Sequence, residues 1–150
     1  MTTVLAGDVI ALRLEDSIPG SVKEWNASDV WIKPESILEV CSFLKEDTAL
    51  HCNYLISVSA VDYIEYFEMV YHLVSMSHNH SVVLKSKCWG REDPTVPSIT
   101  SLWQGADFQE REIYDLMGVK FSGHPNLKRI MLWEGFPGHP QRKDYLEPAR

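Results

Sequence analysis

Between positions 110 and 115 the chain sets three carboxylates and one guanidinium on six consecutive residues, Glu110-Arg111-Glu112-Ile113-Tyr114-Asp115. Carboxylates this close can divide the work of general acid and general base, which would cast Glu110 or Glu112 in such a role. On a helix, Arg111 and Asp115 lie four apart and can pair across one turn, while Glu110 near the N-terminus is favoured by the helix dipole. The plainer account is a helix cap with surface ion pairs of about 0.3–0.5 kcal/mol each. If an interface buries Arg111, its carboxylate partners become obligatory, because an unpaired buried charge costs several kcal/mol.

Histidines are the other candidates. His78 and His80 flank Asn79 at an expected hairpin tip, with His72 on the strand before it. Two imidazoles at i, i+2 can share one strand face and ligate zinc, but a catalytic zinc needs a third ligand and an open position. Nothing local supplies that ligand, so a polar turn is the simpler reading. His124 and His139 sit in a repeated triplet, Gly123-His124-Pro125 and Gly138-His139-Pro140. Glycine permits close backbone approach and proline biases the preceding residue towards extended backbone. Two turns whose histidines bond to backbone or carboxylates account for the triplets without catalysis. Arg142-Lys143-Asp144-Tyr145 reads as an exposed tail or a docking peg. No Gly-rich phosphate loop, nucleophile elbow or His-Glu-x-x-His run is present.

The elements that must position these residues form an α+β pattern. Asp29–Lys33 reads as a short strand, and Pro34 suits the first position of a helix that carries Ile37, Leu38, Val40, Cys41 and Leu44 on its apolar side. Asn53–Asp62, Tyr66–Met76 and Ser81–Cys88 read as strands, the last two joined as an antiparallel hairpin through Ser77–His80. Val9–Leu14 fits the end of a short helix, and Ser98–Trp103 fits a helical segment. Asp107-Phe108-Gln109-Glu110 resembles a capping box and predicts a helix over Phe108–Met117, stopped by Gly118. The expected architecture is one domain, residues 1–117, of helices packed on a mixed or antiparallel sheet. Residues 118–150 follow as an extended Gly/Pro-rich C-terminal arm, with room for a short strand near Arg129–Trp133. Phe121, Leu127, Ile130, Leu132, Trp133 and Phe136 make that arm too apolar for a solvated linker, so it needs a surface, and a partner chain is the better candidate.

The 150 residues carry a formal charge of −7, with 14 acidic and 7 basic side chains before position 107 and 7 of each after it. No Lys/Arg-rich surface is implied, which argues against nucleic acid and against direct contact with anionic lipid. The first residues lack the basic and apolar regions of a signal peptide, and no apolar run reaches the ~20 residues of a membrane span. Cys41, Cys52 and Cys88 are isolated from one another, which fits a reducing compartment and no disulfide framework or protein-ligated cluster. The chain reads as cytosolic.

The run Glu110-Arg111-Glu112, Asp115, Leu116-Met117, His124, Lys128-Arg129, Ile130 resembles, spacing for spacing, the signature of the 30 kDa (C-type) subunit family of NADH–quinone oxidoreductase, respiratory complex I. Ala60-Val61-Asp62-Tyr63, Tyr71-His72-Leu73, Pro97–Trp103 and Gly138-His139-Pro140-Gln141-Arg142-Lys143-Asp144-Tyr145 resemble its other blocks, so the likeness covers about residues 28–147. Gln141 departs from the leucine common in the family, which bears on local docking contacts. The resemblance implies an α+β domain whose arm wraps the subunit bearing part of the quinone site. It implies no flavin and no iron–sulfur cluster in this chain; FMN, the clusters and quinone belong to partner subunits. Glu110, Arg111, Glu112, Asp115, His124, Lys128 and Arg129, with His139, Arg142, Lys143, Asp144 and Tyr145, then become interface residues. The implied place is the peripheral arm, on the cytoplasmic side of the membrane and attached through partners, in a complex that couples electron transfer from a reductant to quinone with ion translocation. Homologous subunits of membrane-bound nickel–iron hydrogenases and of ferredoxin- or deazaflavin-linked complexes are the alternative. A stand-alone metal enzyme using His72, His78 and His80 is the distant one.

Overall fold

A computed structural model describes residues 1–149. The elements run β1 (Thr3–Val4), α1 (Gly7–Ser17), β2 (Val22–Trp25), β3 (Asp29–Ile32), α2 (Ile37–Glu46), β4 (Tyr54–Asp62), β5 (Tyr66–Ser75), β6 (His80–Trp89), β7 (Thr95–Pro97), α3 (Ala106–Met117) and β8 (Lys120–Ser122). A 3-10 turn over Pro34–Ser36 leads into α2, as the proline suggests. The main sheet has the order β2-β3-β6-β5-β4, and β1 shares the β3 edge of β6. β4, β5 and β6 form an antiparallel meander, whereas β3 and β1 run parallel to β6. The sheet is mixed and the fold is α+β.

Strand alternation decides where the core sits. Phe67, Met69, Tyr71 and Leu73 of β5 and Val82 and Leu84 of β6 turn to one face and are buried there with Ile10 and Leu14 of α1, Ile37, Cys41 and Leu44 of α2 and Ile113 and Met117 of α3. The opposite face carries an ion ladder: Lys85 pairs with Asp29 at 2.9 Å, and Trp31 donates its indole N–H to Glu68 at 3.1 Å. Gly7 opens α1 because nothing larger fits: a Cβ there would lie 2.2 Å from the carbonyl oxygen of Asn26.

Four sequence expectations change. α1 is a full helix of 11 residues, where the sequence suggested only its end. The capping box does not form: α3 begins at Ala106 after Gly105 with no side-chain cap, because Glu110 turns inward. Ser98–Trp103 makes a single turn, with Leu102 and Trp103 both donating to Ile99. No strand forms at Arg129–Trp133, because three consecutive N–H groups there converge on one carboxylate where a strand would alternate them. The small parallel pair β7–β8 was not anticipated. Gly118 does end α3, in left-handed backbone at φ +77°.

Candidate functional site

Asp115, on the last full turn of α3, has a side chain with no exposed surface. Its Oδ2 accepts the N–H groups of Ile130 (3.1 Å), Met131 (2.7 Å) and Leu132 (2.9 Å), and its Oδ1 accepts Arg129 at 2.8 Å. Burial pushes the carboxyl pKa up, but the N–H groups of Leu132, Met131 and Ile130 and the Arg129 guanidinium outweigh burial and hold it below the ordinary range. Arg129 also donates to the carbonyls of Asp115, Phe136 and Gly138. The Asp115 carbonyl takes a further bond from His139 Nδ1 at 2.8 Å. Asp115 thus gathers Arg129–Leu132 and His139, and through Arg129 also Phe136 and Gly138.

Arg111 does not pair with Asp115 as the i, i+4 spacing suggested. It donates to the carbonyls of Lys128 and Arg129, each at 3.1 Å, and packs over the Phe108 ring. Arg129, fourteen residues on, takes the carboxylate because the arm folds back over α3. Lys128 itself is exposed, with its carbonyl bound to Arg111.

Glu110 is fully buried: Oε2 accepts Ser98 Oγ at 2.6 Å and Oε1 accepts the Ile99 N–H at 2.8 Å. Desolvation raises its pKa, against the lowering effect of those two bonds. His124 is buried beside it, 4.0 Å from Oε2. Its Nδ1 accepts the Asn126 N–H at 3.0 Å, so Nε2 carries the proton, facing the Asp107 carbonyl at 3.2 Å and Asp107 Oδ1 at 3.1 Å. Glu110 and Asp115 are therefore enclosed and hydrogen-bonded, and neither faces a cleft that could hold a substrate. Glu112 is the exposed carboxylate of the three.

The second Gly-His-Pro triplet seats the end of the arm. His139 lies against Gly118, where a Cβ would stand 2.7 Å from the ring, and Tyr145 lies against Gly138 at 2.9 Å. Arg142 donates to the Arg91 carbonyl and stacks on Phe67, the Lys143 N–H donates to Asp62 at 2.9 Å, and Asp144 pairs with Arg91 at 2.8 Å. Arg91 in turn grips both oxygens of Asp62 at 2.7 and 2.8 Å, and those bonds hold the Asp62 carboxyl far below the ordinary range despite its burial. Arg91 and Ser98 escaped the sequence reading: one arginine after Gly90 and one serine in a turn carry no periodic signal, and their partners are 29 and 12 residues away.

His78 stacks on His80 and meets His51 edge-on, without forming a ligand set. His78 and His80 point Nε2 at the carbonyls of Thr48 and Leu50, and among the described residues no group of three His, Cys, Asp or Glu side chains can hold a metal ion. Beside the exposed Glu112 and Lys128, the junction leaves large apolar groups in water: Phe108 is 64% exposed, Met131 65% and Trp133 67%.

The family described as respiratory-chain NADH dehydrogenase, 30 kDa subunit, matches residues 30–150. The chain belongs to this family. Among the family's curated members, the C-type subunit of the NADH-quinone oxidoreductase of Roseiflexus sp. (strain RS-1) is 42% identical over 134 residues, which are 87% of this chain and 76% of the relative. A C-type NADH-quinone oxidoreductase subunit of Rhizobium etli, numbered 2 in that organism, is 45% identical over 76% of this chain, and the mitochondrial NADH-ubiquinone oxidoreductase 30.4 kDa subunit of Neurospora crassa is 45% identical over 77% of it. The chain spans 62% and 41% of the length of those two relatives. A chain of the archaeal membrane-bound sulfane sulfur reductase, a respiratory membrane complex, shares the fold with a TM-score of 0.73 over 92% of this chain and 84% of that one, at 21% identity.

Proposed function

We propose that this chain is a cofactor-free structural subunit in the peripheral, quinone-reducing part of an NADH:quinone oxidoreductase, and that the α3–arm junction is its docking surface. The observation that carries the reading is the contrast within the junction. Its inner side is fixed by the Asp115–Arg129 cluster, while its outer side leaves Phe108, Met131 and Trp133 in water. Large apolar groups on a rigid support are what protein interfaces use as anchors. Electron donor, flavin and clusters then belong to neighbouring subunits, and the complex couples reduction of quinone to ion translocation. No helix among the described residues is long and apolar enough to cross a membrane. In this reading the chain is attached through its partners, on the cytoplasmic side. The relatives' names favour quinone as acceptor; a hydrogenase-type assembly, the alternative, is separated by asking whether the native complex reduces quinone or evolves hydrogen.

The test is Met131→Asp combined with Trp133→Asp in the tagged full chain. Both side chains are solvent-exposed, so the isolated domain should keep its urea midpoint. Co-purification of neighbouring subunits from native membranes should fall at least tenfold. Wild-type recovery of those subunits would refute the docking role.

A further inference from the structure

Two hydrogen bonds fix the phase of the β4–β5 ladder. The Tyr63 N–H donates to the Tyr66 carbonyl at 3.0 Å, and the Val58 N–H leaves the ladder for Gln109 Oε1 at 2.7 Å. Bonded and non-bonded pairs alternate along an antiparallel ladder. With Val58 opposite Tyr71, Ala60 opposite Met69 and Asp62 opposite Phe67, those three residues must turn their N–H and C=O groups away from β5. β4 is the last strand of the sheet, so these groups face its free edge.

That edge is not open to a further strand. α3 runs beside it and the arm closes one side, leaving a slot of about 180 Å³ lined by Val58, Ala60, Gln109, Glu112, Leu116 and Gln141. The space equals about six waters at ~30 Å³ each, or the head of one long side chain. Its lining is rich in acceptors. Among the described residues, the carbonyls of Val58 and Ala60 receive no side-chain donor, and the Glu112 carboxylate there has neither a hydrogen bond nor an ion pair. Both ends of the Gln109 amide are already used, by Val58 and by the Gly105 carbonyl. Among the described residues, the only unpaired main-chain donor that β4 turns to the slot is the Ala60 N–H. The neighbouring cation, Arg111, is held by the Lys128 and Arg129 carbonyls.

We propose that this slot receives a basic side chain from a neighbouring subunit, with the charged head against Glu112 and the outward carbonyls of Val58 and Ala60. A guanidinium, with five donors in a flat fork and no acceptor, matches that lining better than an ammonium. The inference rests on the reading of the chain as a subunit of a complex, and adds a polar, charge-specific contact to the apolar anchors of the same junction, since Glu112 follows Phe108 by about one turn of α3.

Glu112→Lys tests it directly, since the new ammonium can occupy the slot itself. The full-length variant should keep the urea midpoint of the isolated wild-type chain, and recovery of neighbouring subunits from native membranes should drop at least tenfold. Glu112→Gln should give a smaller loss, and Glu112→Asp should retain most of the recovery. Wild-type recovery with both Glu112→Lys and Glu112→Gln overturns the proposal. If that happens while the Met131/Trp133 variant still loses its partners, the slot falls and the docking reading stands; if neither variant loses them, both fall. Should Glu112→Lys not fold, labelling of carboxylates with carbodiimide and glycinamide decides on the wild-type protein. Glu112 should be labelled in the isolated chain and protected at least tenfold in the native complex, and equal labelling overturns the proposal.

Discussion

Replacing Asp115 by alanine should release the arm before it unfolds the domain. The substitution strips Arg129 of its carboxylate and leaves the N–H groups of Ile130, Met131 and Leu132 without their shared acceptor. Hydrogen bonds to a charged group contribute about 1.5–3 kcal/mol each, but these four share two oxygens and cannot simply be added. Removal of one partner from a buried ion pair costs about 3–5 kcal/mol, and here the arm can lift and regain water, which favours the lower end. A loss of about 3 kcal/mol corresponds to roughly a 100-fold rise in the open population of the arm. Limited trypsin digestion reads this, since Lys128 and Arg129 lie beside the cluster. Cleavage there should accelerate by about two orders of magnitude if opening and closing are fast relative to proteolysis. Asp115→Asn should sit nearer alanine than wild type, because its amide NH2 would face donors. Cleavage at the wild-type rate, with a urea midpoint unchanged in both variants, would show that the arm is held by something other than this carboxylate.

Gly7→Ala should destabilise the domain by about 3 kcal/mol in urea titration, since a Cβ 2.2 Å from the Asn26 carbonyl outweighs the helix-propensity gain of about 1 kcal/mol; an unchanged midpoint would contradict the close approach. The three thiols should resist a disulfide reagent at pH 8 in the native chain and react together in denaturant: burial pushes Cys41 far up and Cys52 to about 11, and raises Cys88. Fast reaction of even one native thiol would count against the packing around α2 and β6. Acid should act in two opposed ways. Glu110, raised in the fold, gives stability as pH falls through its folded value towards 4.5, whereas Asp115, lowered in the fold, contributes above about pH 3.8 and is lost as pH falls through its folded value. Urea midpoints against pH should therefore rise and then fall for the wild type, with the rise absent in Glu110→Gln; an identical rise in that variant would refute the assignment.

Local chemistry made much of this protein legible in advance. The alternation of Phe67, Met69, Tyr71 and Leu73 defined both a strand and its buried face, and Ile37, Cys41 and Leu44 defined the apolar side of α2, because burial periodicity is written into each segment separately. Gly118 marked the end of α3 because left-handed backbone favours glycine. The spacing from Glu110 to Ile130 pointed to the family. Other features depended on where distant segments meet. Glu110 looks like a capping residue until Ser98 and Ile99 arrive from a neighbouring turn and draw its side chain inward. Arg111 has Asp115 one turn away, yet the returning arm delivers Arg129 and three N–H groups to that carboxylate and offers Arg111 two carbonyls instead. Arg91, Asp62 and Asp144 come from three separate parts of the chain. The slot beside β4 exists only because the ladder has one phase and α3 lies along its edge. Sequence determined the long strands, α2, α3 and the buried face of the sheet; the tertiary structure decided the short elements and which charge meets which, because an ion pair depends on proximity in space.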